Sequence, residues 1–174
     1  TDGVRVLICQ QGEGPDTVFQ NLVIQNGYDD DRGGGMSNRS FSKPTLKNCH
    51  FLNNIADQGG AIYNDNDSEL TLKNCLFTDN NAEEGGGIYS KRGVLDLIDC
   101  HFSGNTSEDS GGAIQVLANR SSIIGCNFHS NITEGEGGAL YCDNSDTEID
   151  GCSFTANLAE DGAGASAYRG SFIS

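Results

Sequence analysis

The sequence predicts an all-β chain folded as a right-handed single-stranded parallel β-helix. It would have about six coils of roughly 26 residues, each with three short strands. Three observations carry this. First, Cys-x-Phe-x-x-Asn occurs five times, as Cys49/Phe51/Asn54, Cys75/Phe77/Asn80, Cys100/Phe102/Asn105, Cys126/Phe128/Asn131 and Cys152/Phe154/Asn157, with the cysteines 26, 25, 26 and 26 residues apart. Second, a glycine pair followed by a small and an apolar residue runs in phase with it. It begins at Gly33, Gly59, Gly85, Gly111 and Gly137, with a weaker copy at Ala163-Gly164-Ala165-Ser166. Third, the residues between these motifs alternate in polarity and are cut by Gly, Asn, Asp and Ser into pieces too short for helices. A fixed period of this length is the mark of a solenoid, whose units bury their apolar faces only by stacking.

Each element of the coil has a reason. Gly-Gly-Ala-Ile-Tyr opens a strand, and the pair marks either a turn with positive φ or a close backbone approach. A polar turn follows, then Leu-x-Leu, a second turn, and Cys-x-Phe. Alternation points Ile62, Leu70, Leu72, Cys75 and Phe77 inward. With coils about 4.8 Å apart, stacking turns the repeats into ladders. Leu46, Leu72, Leu97, Ile123 and Ile149 form one, and Phe51, Phe77, Phe102, Phe128 and Phe154 another. Cys49, Cys75, Cys100, Cys126 and Cys152 form a third. Asn54, Asn80, Asn105, Asn131 and Asn157 fall at the corner after the Phe strand, where an amide satisfies turn backbone groups that water cannot reach.

Residues 1–174 read as a single domain: divergent lead-in coils over 1–32, regular repeats over 33–166 and a last partial coil over 167–174. Val6-Leu7-Ile8-Cys9 and Leu22-Val23-Ile24-Gln25-Asn26-Gly27 are its early strands. Both ends lack a recognisable cap, so the expectation is a segment of a longer protein. The Gly-Gly-Ala-Ile and Phe-x-x-Asn pair resembles the tandem motifs of the chlamydial polymorphic outer-membrane proteins and related repeats in large secreted bacterial surface proteins. Gly12-Glu13-Gly14-Pro15-Asp16-Thr17-Val18 resembles the lead-in coil of that broader group. The resemblance covers about residues 4–166. It implies surface display, adhesion or matrix roles and brings no catalytic residues with it.

Twenty-five acids against ten bases give a net charge of −15. Such a surface repels phosphate backbones and anionic lipids, which disfavours nucleic acid and membrane-surface partners. No apolar run is long enough to span a bilayer.

Five of the seven cysteines share one inward ladder at coil spacing, too far apart for disulfides, and read as reduced apolar filler. Cys142 lies off that ladder and Cys9 in the first coil. Two positions before the glycine pairs stand Asp31, Asp57, Glu83, Asp109 and Asp161, with Gly135 as a gap. Stacked, they form either a solvated acidic edge or a column that takes calcium, a cation served by carboxylates and turn carbonyls. His50 and His101 lie two coils apart, too far to share a metal, and His129 stands apart from both. Asn-x-Ser/Thr triplets at Asn38, Asn66, Asn105, Asn119 and Asn131 are weak glycosylation signals in so Asn-rich a repeat.

Many β-helical proteins cleave polysaccharides, and Asp65, Asp67 and Lys91 are the best constellation for such chemistry. Their turn does not recur to extend a cleft, and no turn is long enough to build walls. The expected function is therefore that of an extracellular or cell-surface scaffold or filament-forming module. An adhesin-like module binding carbohydrate or protein is the alternative, and a lyase or glycoside hydrolase a further one. The expected partners are other copies of the chain, end to end or side by side, or a surface protein or carbohydrate. No cofactor is expected apart from the calcium alternative.

Overall fold

The computed structural model describes residues 4–65, 67–118 and 120–169, and the backbone of 172–173. The chain winds through six coils and part of a seventh, every strand pair is parallel, and no helix occurs among the described residues. Four sheets run the length of the stack, with seven, seven, six and five strands. One coil shows the sequence of elements: Ile62–Asp65 in the first sheet, Glu69–Lys73 in the second, Leu76–Thr78 in the third and Asn81–Glu84 in the fourth. The fourth sheet corrects the expected three strands per coil. Its strands carry one inward apolar residue at most, as Ala82 does between exposed Asn81 and Glu83, so no polarity alternation announces them. The backbone ladder alone makes them a sheet.

Four strands need four corners, and one residue in the left-handed region closes each. In one coil these are Gly59 (φ 65°), Asp67 (56°), Asn74 (51°) and Asp79 (53°). Asn, Asp and Gly reach that region at least cost, which explains the composition of the turns. The glycine pair turns out to need both of its candidate reasons. A Cβ on Gly59 would lie 2.1 Å from the Ile62 carbonyl oxygen at positive φ. One on Gly60 would lie 2.4 Å from that of Asn81 and 2.6 Å from that of Gly86.

The register pairs like with like: Leu72 with Leu46 and Leu97, and Phe77 with Phe51 and Phe102. Leu46, Leu72, Leu97 and Ile123 are wholly buried, with Ile149 packed against them. The five Phe rings stack nearly parallel at centroid separations of 5.0, 4.5, 5.0 and 4.9 Å. This offset stacking adds to the burial of each ring.

The single 25-residue interval has a structural origin. Asp65 registers with Lys91 and Glu69 with Val94, so the corner between first and second sheets holds three residues in one coil and two in the next. The lost residue returns as a bulge in Thr106–Ser110, where the register shifts against Asn81–Glu84. The later corners, before Arg120 and Asp146, keep the shorter length. Three set-back corners below a longer one leave a recess along this edge.

Candidate functional site

The asparagine ladder is the most fully bonded feature of the molecule. Each Nδ2 donates to the next ladder oxygen, at 2.9 Å from Asn54, Asn80 and Asn105 and 3.0 Å from Asn131. Its second proton goes to the carbonyl of a Phe-strand residue in the preceding coil, such as Phe77 from Asn105 at 3.0 Å. Each Oδ1 from Asn80 to Asn157 also accepts the backbone N–H of the asparagine before it. Asn54, Asn80, Asn105 and Asn131 are fully buried, and all four amide valences of the interior members are satisfied.

A shorter interior ladder was missed in the sequence. Asn38 donates to Asn64 at 2.8 Å and Asn64 to Ser90 at 3.0 Å, before Val116 and Cys142 continue the column as apolar filler. Its signal was present: Met36-Ser37-Asn38, Ile62-Tyr63-Asn64 and Ile88-Tyr89-Ser90 repeat in phase. Asn38, Asn105 and Asn131 are thus spent inside the folded coil and closed to glycosylation. Asn66 and Asn119 lie outside the described residues.

None of the seven cysteines is in a disulfide, and only Cys152 is less than fully buried. The ladder thiols donate to carbonyls, as Cys75 does to Lys73 at 3.4 Å and Leu46 at 3.7 Å. Burial pushes the Cys49, Cys142 and Cys152 thiols up, and burial with the nearby Glu13 charge moves Cys9 to about 11. Cys100 is raised through its contacts with Cys126 and Cys75 and by burial. Cys75 and Cys126 are shifted the other way, first by their contacts with Cys100, and burial keeps both thiols away from solvent.

The acidic column is exposed, and one member changes place. Glu136 bridges to Ser110 on one side and to Asp161 on the other, so Asp161 stands in the column of Gln58, Glu84 and Ser110. The last glycine turn comes one residue early, which moves Asp161 over; Glu160, whose N–H reaches the Gly135 carbonyl at 2.8 Å, takes its position. Asp31 pairs with Arg32 at 3.1 Å. Asp57, Glu83 and Asp109 remain as successive exposed carboxylates, and the Asp57 charge is the first cause of the raised Glu83 pKa. Among the described residues no three His, Cys, Asp or Glu side chains converge as a metal site.

Of the candidate catalytic trio, Asp65 is engaged elsewhere. The Tyr63 hydroxyl donates to its Oδ2 at 2.7 Å, and Arg92 reaches both oxygens at 3.4 Å. Tyr63 stacks on Tyr89 at 5.5 Å, and Arg32 lies over the Tyr63 ring at 5.1 Å. Lys91 is in strand register with Asp65, yet Arg92 makes the ion pair. Asp67 faces the recess instead.

That recess is an open groove of about 810 Å³ with Gly93, Val94 and Ala118 among its lining and the charges of Asp67, Glu69, Arg92, Arg120 and Asp146 around it. It continues onto the second sheet past Asp96, Ser122 and Glu148. Burial, followed by the Glu69 charge, raises the Asp96 pKa. Among the described residues no ion pair or hydrogen bond engages the Arg120 guanidinium. The sequence signal for the groove was the 25-residue interval, a deletion whose depth only stacked neighbours reveal.

No curated protein and no solved structure matches the chain. Residues 34–174 match the family described as the right handed beta helix region. That match spans most of the sequence and agrees with the stacked parallel coils, and the chain belongs to the right-handed β-helix family.

Proposed function

We propose that this chain is a rigid structural module of a secreted or cell-surface protein, a scaffold whose working quantity is its number of coils. The uninterrupted amide chain from Asn54 to Asn157 carries the reading, because it ties successive coils together through buried bonds that admit no slack. Short corners on every side support it too, since catalytic solenoids build their sites from long loops. The Asp65 cluster supports a non-enzymatic reading because its members are occupied by one another. The resemblance to chlamydial surface-protein repeats supports the extracellular address.

A scaffold tolerates loss of any one coil taken out in register. Excising residues 85–110 from the full-length protein joins Glu84 to Gly111 and replaces Ser110 by its register partner. Surface display and the phenotype lost on deleting the whole segment should both persist. Loss of that phenotype in a displayed, folded excision variant would overturn the scaffold reading.

The unengaged Arg120 in its groove favours a second reading, that of an adhesin-like module binding carbohydrate or protein there. Arg120→Ala should then abolish surface binding that the excision of a coil outside the groove leaves intact.

A further inference from the structure

The corner after the third sheet repeats one arrangement along the rod. A residue in the left-handed region (Asn53, Asp79, Gly104, Ser130 or Ala156) precedes each ladder asparagine. From Asn54 to Asn131, the backbone N–H of that asparagine is held by the amide oxygen of the next coil. In the first coil Asn26 (φ 56°) takes the left-handed position, and Gly27 stands where the ladder asparagine would. Packing fixes Gly27, because a Cβ there would lie 2.1 Å from the Gly34 carbonyl oxygen. The fold thus imposes Asn-Gly, which occurs nowhere else in the chain, with Asn26 exposed and Gly27 buried. A glycine after asparagine leaves its own amide nitrogen unshielded by any side chain and free to rotate.

We infer that Asn26 is a deamidation site which the first rung of the amide ladder holds shut in the folded chain. In the reaction the Gly27 nitrogen gives up its proton and bonds to Asn26 Cγ. The Cγ–Nδ2 bond breaks, and ammonia leaves with that proton. Water then opens the succinimide at either carbonyl, leaving aspartate or isoaspartate. In the folded chain the Gly27 N–H donates to Asn54 Oδ1 at 3.0 Å, and the Asn26 N–H to the Leu52 carbonyl at 3.1 Å. The Gly27 carbonyl accepts the Ile55 N–H at 2.9 Å. The reacting nitrogen is therefore turned into the stack with its proton held, and ring closure requires it to leave Asn54. That acceptor cannot follow, since Asn54 is wholly buried and donates to the Ile24 carbonyl at 3.0 Å and to Asn80 at 2.9 Å. Isoaspartate puts an extra carbon into the main chain between two strands whose registers, Val23 on His50 and Tyr28 on Ile55, leave no room for it. A chain modified while open cannot close that coil in register, so the site records unfolding irreversibly. The inference rests on one ladder bond and not on the scaffold role, so either can fail alone.

Peptide mapping by mass spectrometry after incubation in mildly alkaline buffer tests it. Asn26 should deamidate at least about tenfold more slowly in the folded chain than in the chain unfolded in urea. Asn54→Ala, kept well below its melting temperature, should restore most of the unfolded rate. Asn105→Ala is the control: it breaks the same ladder but leaves the Gly27–Asn54 bond in place, and Asn26 should stay protected. Should Asn54→Ala not fold, amide hydrogen exchange of the unaltered chain decides, and the Gly27 N–H should exchange as slowly as that of Asn80. Equal deamidation of folded and unfolded chains, an Asn54→Ala rate no faster than that of Asn105→Ala, or a rapidly exchanging Gly27 N–H would each overturn the inference.

Discussion

Replacing Asn105 by alanine tests the amide ladder at its centre. The substitution removes the acceptor of the Asn80 backbone N–H at 3.1 Å and of one Asn80 Nδ2 proton at 2.9 Å. It also deprives the Phe77 carbonyl and the Asn131 Oδ1 of a donor each. The Asn131 oxygen keeps the Asn105 backbone N–H, so its loss is partial. The two stranded donors are buried between fully packed coils, and each costs about 1–3 kcal/mol. The worked expectation is a loss of about 3–5 kcal/mol, or about 10 °C in melting temperature for a chain of this size. Asn157→Ala, at a half-buried position where water reaches the freed groups, should cost about 1–2 kcal/mol. Denaturant titration followed by far-ultraviolet circular dichroism reads both. A loss under about 1.5 kcal/mol for Asn105→Ala, or equal losses for the two variants, would refute the claim that the ladder bonds are buried and mutually dependent.

Gly86→Ala should cost more than about 2 kcal/mol, because its Cβ would lie 2.2 Å from the Thr106 carbonyl oxygen and 2.4 Å from that of Gly112. Gly14→Ala, with nothing within 4 Å, should fall within about 0.5 kcal/mol, and equal melting shifts would contradict the close-approach argument. The raised Asp96 pKa means that the folded chain holds this proton more tightly than the unfolded one. Its stabilising contribution is full below the ordinary carboxylate pKa and is lost as pH rises through the raised value. Asp96→Asn should therefore be more stable than wild type at pH 7 and show a flatter decline from mildly acidic to neutral pH; parallel pH–stability curves would contradict this. For the acidic column, calcium and sodium at matched ionic strength should raise the melting temperature alike, as screening of a solvated edge requires. A rise specific to calcium and growing with the logarithm of its concentration would make the column a binding site.

The fold was legible because its determinants repeat in phase. Phe, Cys, Asn and the glycine pair each recur at the coil length, and a period needs no knowledge of the partner to be read. The fourth sheet was not, because a strand such as Asn81–Glu84 forms by backbone pairing with one inward methyl. The place of Asp161 was misread for a related reason. Counting back from a glycine assumes every coil has the same length, and the last turn is one residue short. The groove depends on the same kind of irregularity, a missing corner residue beside Arg92 whose effect exists only relative to the coils on either side. The engagement of Asp65 by Tyr63 and Arg92 rather than Lys91 is a matter of side-chain direction, to which sequence spacing is blind.

The claim that this chain is a stiff rod counted in coils is tested most directly by a distance. Val18, Thr45, Thr71, Asp96, Ser122 and Glu148 occupy one outward column, so nitroxides on Val18→Cys and Glu148→Cys are separated by five strand steps. Pulsed electron–electron resonance should give one narrow distribution near 24 Å, and excising residues 85–110 should shorten it by about 4.8 Å with no broadening. A broad distribution in the intact chain, or an excision variant whose distance does not fall by one step, would contradict it.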